Sequence, residues 1–423
     1  MTDIDIVIIG AGPAGLSAAI ALSEISTPEN PLHITVVELR SSIQTIGGAV
    51  NLTPLALRYF DYLGAVARLR PRGHNVASID IRSLRNGALL GSLWKDLGGL
   101  RVLRHDIIES LLKTVSSEHA QRVQVRYGAK VTGIRETTTS VGGSKVILQL
   151  DSGERLEGDV VLGCDGLHSA ARRLYVEPDQ LETYTGRVVA MGFTRAETVG
   201  TGVILSSGES ALENTALLQG QRGSLLITNF EPTKSKVFLA SVMGMPEPRG
   251  GGDLRDGWKV LGNDGEGIKR DIIERFGNSR LRGIGQLISS CGEWNLYPVY
   301  KLPPRGTWRR NRVLLLGDAA HAMPPQGEST AFAIEDAILL AHIFTIRHTK
   351  SLDQLLSDYE LMRRDAIDKH YRKAVWGFES SNADCSWLWA LFMEYATMIY
   401  LMVLRWSQSD ILSGDVRKLD LPN

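Results

Sequence analysis

The segment Asp5–Leu22, DIVIIGAGPAGLSAAIAL, constrains this chain more than any other. Ile6–Ile9 form an uninterrupted apolar run, the pattern of a strand buried on both faces of a parallel sheet. Gly10, Gly12 and Gly15 follow as G-x-G-x-x-G, and small apolar residues continue to Leu22. The spacing predicts a strand, a tight turn and a helix. Gly10 permits the turn, Gly12 lets the backbone approach a pyrophosphate, and Gly15 lets the helix lie close on the strand. Free N–H groups and the positive dipole end at the helix start suit that pyrophosphate. His33–Glu38, HITVVE, reads as a second strand ending in a carboxylate 23 positions beyond Gly15. Glu38 there can accept the hydroxyls of an adenosine ribose and would repel a 2′-phosphate, which favours FAD or NAD over NADP at this site.

At 423 residues the chain has room for two domains. Its 47 basic and 47 acidic residues cancel, so the charge balance directs it neither to nucleic acid nor to acidic partners. Cys164, Cys291 and Cys385 are too widely spaced for a disulfide framework or a zinc site, and no metal-ligand cluster is legible. The first strand starts close to Met1, leaving no room for a signal peptide. A cytoplasmic, reducing location is therefore expected.

Along the chain, Ile46–Leu52 reads as a glycine loop running into an extended piece, and Pro54 opens a helix over Leu55–Leu63. Asn75–Arg82 and Ala88–Trp94 read as strands paired across Asn86-Gly87. Val102–Val115 takes helical spacing after Asp106, and Val123–Tyr127, Lys130–Arg135 and Lys145–Leu150 read as strands. Asp159–Tyr175 repeats the strand, glycine turn and helix plan, with Ser169 as N-cap. Arg187–Thr194, Ser224–Thr228 and Lys236–Met243 predict a different sheet, Arg249–Asp253 a loop, and Ile268–Phe276 and Leu281–Ile288 short helices. Val313–Ala320, VLLLGDAA, returns to strand plus glycine, followed by helices over Ser329–His348 and Leu352–Trp376. The expected fold is α/β: a Rossmann-like nucleotide-binding domain over 1–180 and 292–380, with an inserted β-sheet substrate domain over 181–291. Residues 75–100 lend strands to the latter, and 381–423 form an apolar helical C-terminus.

Three glycine turns thus follow three buried strands, at Gly10–Gly15, Gly163–Arg172 and Leu314–Gly327. In this order and spacing they resemble the single-component FAD-dependent aromatic hydroxylases, similar to p-hydroxybenzoate and salicylate hydroxylases and in particular to their fungal secondary-metabolism branch. The resemblance covers about residues 1–175 and 295–376. It implies that Gly10, Gly12 and Gly15 hold the FAD pyrophosphate and Glu38 the ribose. Gly48 and Ala49 would lie against the flavin, Arg104 would contact FAD at a helix start, and Asp165 and Gly166 would touch FAD and the nicotinamide cofactor. Asp318 would bind the ribityl hydroxyls. Gly327, Thr330 and Ala331 stand where the family's loop meets the flavin. The family pattern there is P-x-x-G-Q-G-x-N, whereas this chain reads Pro324-Pro325-Gln326-Gly327-Glu328-Ser329-Thr330-Ala331, lacking the second glycine and the Asn.

The resemblance implies a monooxygenase. NAD(P)H reduces FAD, O₂ forms a flavin C4a-hydroperoxide, and one oxygen passes to a phenolic, polyketide or terpenoid substrate in hydroxylation or epoxidation. The protein's share is to position substrate, exclude water and manage a phenol or enol proton. Arg187 and Arg195 are candidates for stabilising a phenolate, and Tyr297, with Tyr300, for relaying a proton; His321 could serve either task or belong to the turn. A Baeyer–Villiger or dearomatising oxygenase and a non-catalytic FAD-binding protein remain alternatives. A flavin halogenase does not, since no W-x-W-x-I-P stretch occurs. Trp387–Trp406 is almost wholly apolar, and its length would just span a bilayer, but Glu394 near its middle is costly in lipid. Packing on the protein or in a homodimer, and peripheral membrane contact, are both open. Asp318→Ala is expected to strip FAD from the purified protein, which a flavin absorbance spectrum would report; a full yellow complement would refute the assignment.

Overall fold

The structure is a computed structural model. It describes residues 3–43, 48–93, 98–138, 144–196, 215–248, 254–277, 279, 281, 283–325, 328–380, 384–411 and 414–422. The expected loop at 249–253, residues 44–47, Trp94 and Gly327 lie outside the described residues.

A six-stranded sheet carries the strands Arg309–Arg310, Val313–Leu315, Val160–Gly163, Ile4–Ile9, Leu32–Glu38 and Val123–Tyr127, in that spatial order. All neighbours but the first pair run parallel. Parallel pairing explains the continuous apolar runs: Val160, Val161, Leu162, Ile6 and Ile8 are covered on both faces. The helix Pro13–Glu24 is buried from Ala14 to Ser23, because it is sandwiched between this sheet and the helix Ser329–Phe344. That position requires a helix apolar all round, and both sequences supply one.

A seven-stranded sheet has the order Trp294–Lys301, Thr183–Arg195, Lys236–Gly244, Gly223–Asn229, Thr215–Gly220, Ile79–Ser83 and Leu89–Leu93. Strand alternation splits its faces. Val188, Ala190, Leu225, Ile227 and Leu239 enter a second core with the helices Gly265–Ile272 and Ile284–Ser290. Val189, Met191, Leu226 and Ala240 occupy the opposite, half-buried face. Two three-stranded sheets complete the fold, one of them in the order Ala49–Leu52, Gly99–Leu103, His74–Val76.

Several elements differ from the sequence reading. Asn75–Arg82 is not one strand but two, His74–Val76 and Ile79–Ser83, in different sheets. The strand Gly99–Leu103 runs directly into the helix Arg104–Glu118, so the helix starts at Arg104 and the preceding apolar residues are extended. The helix after Ser329 ends at Phe344. The strand Thr215–Gly220 and the helix Leu254–Asn263 carry patterns too short or too mixed to read.

The C-terminal helix spans Trp387–Ile411, and over residues 387–403 it leaves many large apolar side chains exposed while Leu401 packs inward on Ile81 and Leu90. Glu394 and Thr397 also turn inward. Glu394 accepts hydrogen bonds from the Ser83 hydroxyl at 2.5 Å and from Arg85 at 3.0 Å, and Thr397 donates to Gln219 at 3.4 Å. Leu388, Phe392, Tyr395, Ile399 and Met402 face outward and are exposed. Among the described residues no helix is long and apolar enough to cross a membrane. Glu394→Ala leaves Ser83 and Arg85 without this partner and should cost about 1–3 kcal/mol of local docking energy. Faster amide exchange over 387–403, with little change in the rest of the protein, is the expected readout.

Candidate functional site

The three glycine turns emerge from the carboxyl ends of three adjacent parallel strands, Ile4–Ile9, Val160–Gly163 and Val313–Leu315. They touch. Gly10 has φ +105°, and a Cβ there would lie 2.5 Å from the Cys164 carbonyl oxygen; at Gly15 it would lie 2.0 Å from the Gly10 oxygen. Gly317 sits against Ala14 and Ala333, with both Cβ atoms 3.3 Å from the position a Cβ of its own would take. By contrast, a Cβ on Gly12 would meet nothing within 4 Å, although Gly12 heads the helix Pro13–Glu24 and no side chain caps that helix. The result is a cradle of uncapped N–H groups with space in front of it.

Glu38 closes one side: its Oε2 accepts from Ala11 N at 2.9 Å and its Oε1 from Arg40 N at 3.0 Å. Asp165 closes the other. Its Oδ2 accepts from Ala170 N at 2.6 Å and Ala171 N at 3.2 Å, while Oδ1 is buried without a partner. Burial raises the Asp165 carboxyl above its ordinary value. The Ser169 hydroxyl accepts from Arg172 N at 2.9 Å, as its sequence predicts, where the short helix Arg172–Val176 begins. Arg172, almost fully buried, ties the second turn to the third by donating to Leu167 O at 2.6 Å and Ala319 O at 3.0 Å.

The third turn is held by a group the sequence reading passed over. Asp336, 0 % exposed in the helix Ser329–Phe344, accepts from Gly317 N at 2.8 Å. It also meets His321 Nε2 at 2.7 Å and accepts from Arg363 Nε at 2.7 Å. Arg363 reaches from the helix Leu352–Ser380 and pairs with Glu335 at 2.6 Å as well. Burial alone would raise the Asp336 carboxyl, but His321 and Arg363 hold it well below the ordinary range. His321 is thus engaged in fixing the turn that presents Asp318, a partly exposed residue at the start of the short helix Asp318–His321.

The large sheet supplies the facing side. Tyr297, in register with Val189 on the half-buried face, keeps 44 % of its surface free. Burial first, and then the charge of Asp318, raise its phenol, while Arg104 opposes them. Arg104 starts its helix with its N–H on the Gly48 carbonyl at 3.3 Å, and Gly48 is pressed against the Phe238 ring. Ala49 follows at the start of its strand, and Gly166, at φ +75°, has open space before it. Thr330 and Ala331 lie in the first turn of the helix Ser329–Phe344. Glu328 caps that turn with its backbone. Burial raises its carboxyl, with Lys373 opposing, and its charge acts in turn on Tyr400 of the C-terminal helix.

The two arginines expected to stabilise a phenolate are placed otherwise. Arg187 donates to the carbonyls of Phe378 and Glu379 and lies 4.9 Å over the Phe378 ring. Its guanidinium serves the carbonyl end of the helix Leu352–Ser380, where unpaired oxygens concentrate negative partial charge. Arg195 is exposed at its strand end, in register with Lys236. Tyr300 donates to Glu247 at 3.4 Å and accepts from Trp258 at 3.0 Å, on the helix-covered side of the sheet.

These features fit FAD. The uncapped helix start with its open space suits the pyrophosphate, Glu38 the ribose, and Asp318 a polyol chain. Arg172, Asp336 and Arg363 were missed because their roles are tertiary, although an acid inside AFAIEDAILLA was a visible signal of a buried pair. Asp336→Asn would leave Arg363 with a weakened partner in the interior and should cost about 3–5 kcal/mol in urea unfolding. The depressed carboxyl contributes stability that is present above its unfolded value near 3.8 and is lost as pH falls toward the folded one. The variant should therefore show a flatter loss of stability below about pH 4.

Comparison with known proteins agrees with this geometry. The model of the family described as "FAD binding domain" matches residues 3–199 and 305–374. The FAD-dependent monooxygenase ntnJ of Nectria sp is 25% identical over 371 residues, covering 86% of this chain and 81% of that protein. The 6-methylsalicylate 1-monooxygenase atA of Aspergillus terreus is 24% identical over 432 residues, covering 92% and 90%. The crystal structure of Klebsiella pneumoniae HpxO complexed with FAD and uric acid has a TM-score of 0.76 at 19% identity, covering 98% of each chain, a likeness of fold. The matched segments contain all three turns that meet at the carboxyl ends of the strands, and the chain belongs to the FAD binding domain family as an FAD-dependent monooxygenase of the aromatic-hydroxylase type.

Proposed function

We propose that this enzyme draws electrons from NAD(P)H and inserts one oxygen atom of O₂ into a phenolic, polyketide or terpenoid small molecule, by hydroxylation or epoxidation, in secondary metabolism. The observation that carries this reading is the contact of two parts: Gly48, whose carbonyl receives the Arg104 N–H, is pressed against Phe238 of the large sheet, which bears Tyr297 on its half-buried face. In this reading residues 1–180 and 292–380 hold FAD, and 181–291, with strands from 75–100, hold substrate. FAD, when bound, supplies the redox and oxygen chemistry.

The chain's own residues do the rest. Gly12 and the helix start hold the pyrophosphate, Glu38 the ribose, and Asp318 the ribityl hydroxyls. Val189, Met191, Leu226 and Ala240 offer an apolar wall that keeps water from the reacting ring. Tyr297, with its phenol raised, stays protonated at neutral pH and donates a hydrogen bond to a substrate oxygen rather than acting as a base. Peripheral contact of 387–403 with a lipid surface belongs to the same proposal, since the outward face of that helix is apolar and bears Trp387, Trp389 and Tyr395.

The test is NAD(P)H oxidation in air by the FAD-loaded protein with a panel of phenols and enolic polyketides, with product analysed for added oxygen. Substrate-stimulated oxidation with an oxygenated product is expected; none across the panel, with flavin present, would count against it. Tyr297→Phe should retain FAD and lower the rate of oxygenated product formation about 100-fold.

A further inference from the structure

Arg101 is the deeply buried cation that the cofactor site does not use. It lies in the strand Gly99–Leu103, in register with Asn51 on one side and His74 on the other. Antiparallel partners share a face, so these three polar side chains point the same way. Their neighbours Leu52, Leu100 and Val102 turn to the opposite face and enter the main core. Arg101 is 3 % exposed, and its Nε has no partner. Among the described residues nothing pairs with its guanidinium, and burial lowers it to about 10 with no anion opposing. Asn51 is 7 % exposed and neither end of its amide is satisfied. Lys234 adds to the positive surroundings, acting together with Arg101 on His74.

The place matters as much as the charge. Ala49 shares the strand of Asn51 and lies on the same face, two residues along, about 7 Å away. Gly48, just before it, touches Phe238, whose ring packs on Phe193, and Phe193 packs on Phe230. The cluster therefore borders both the flavin-side loop and a phenylalanine-lined end of the large sheet. A guanidinium kept in such a place only for its stem is hard to justify, because Met or Leu would fill the volume without a buried charge. An unpaired guanidinium beside an unsatisfied amide is a complement for a planar oxyanion, which it can take in two parallel hydrogen bonds.

We propose that Arg101, with Asn51 and His74, binds an anionic oxygen group of the substrate, the carboxylate or ionised enol of an aromatic or polyketide acid, and so replaces Arg187 and Arg195 as the anchoring cation. This rests on the monooxygenase reading, but it is tested without turnover. The FAD-loaded protein is titrated with benzoate and salicylate, and with phenol as the neutral control, following flavin difference absorbance and Tm. The carboxylates should bind and raise Tm. Arg101→Gln should weaken them at least tenfold with FAD content and phenol binding unchanged, and Arg101→Lys should fall between. Arg101→Met should raise the Tm of the probe-free protein and abolish the rise caused by benzoate.

Equal benzoate affinity in Arg101→Gln overturns the proposal. So does a wild-type protein in which neither carboxylate shifts the spectrum or Tm. Loss of FAD from both Arg101→Gln and Arg101→Lys would assign the guanidinium to the cofactor, which overturns it equally. Failure of the monooxygenase reading appears separately, as FAD-loaded wild-type protein that binds carboxylates but never oxidises NAD(P)H in response to any substrate.

Discussion

The carboxylate of Asp336 is the interaction on which the cofactor site depends. It is fully buried and gathers the Gly317 N–H, His321 and Arg363 around two oxygens. A carboxylate in such a place is tolerable only when both oxygens are answered by donors, and here they are. The same contacts join the turn before Asp318, the helix packed against the first glycine turn, and the helix Leu352–Ser380. Arg363 continues through Glu335 to Tyr59, whose hydroxyl donates to Glu335 at 3.1 Å and accepts from Val416 N near the C-terminus at 3.2 Å. One ionic network thus holds distant parts of the chain around the third turn.

The division of labour follows from how each group is satisfied. Where a side chain is tied to backbone carbonyls, as with Arg172 between the second and third turns or Arg187 on a helix end, it maintains geometry. Asp165 Oδ1, both ends of the Asn51 amide and the Arg101 Nε are among the buried polar groups left without a partner. Asp165 directly precedes Gly166, and Asn51 and Arg101 lie in the strand pair that carries Ala49. In the C-terminal helix, Glu394 and Thr397 are satisfied inward, while the exposed side chains described between Trp387 and Val403 include Leu388, Phe392, Tyr395, Ile399 and Met402.

Much of the cofactor side was legible in the chain because it depends on local patterns. An apolar run, a glycine turn and a small-residue helix carry their geometry with them, and Ile4–Ile9, Val160–Gly163 and Val313–Leu315 form where those patterns stand. The large sheet was less legible. Asn75–Arg82 divides between two sheets, and Thr215–Gly220 is too short to announce itself. Arg187 and Arg195 were attractive as cations on a sheet, but sequence does not say which helix end or strand edge a guanidinium will meet.

Sequence by itself determined the three strand-turn units, their order, the acidic strand end at Glu38 and hence the class of cofactor. Each of these is encoded within a few consecutive residues, where backbone freedom and side-chain size decide the conformation. Only tertiary structure decided that the three turns touch, that Asp336 rather than a neighbour of Asp318 fixes the last of them, and that Tyr297 lies on the half-buried face of the large sheet. It also decided that Arg101 is left unpaired in the interior. Pairing and burial arise between segments far apart in the chain, and no local pattern records which charges will find partners and which will be left to bind.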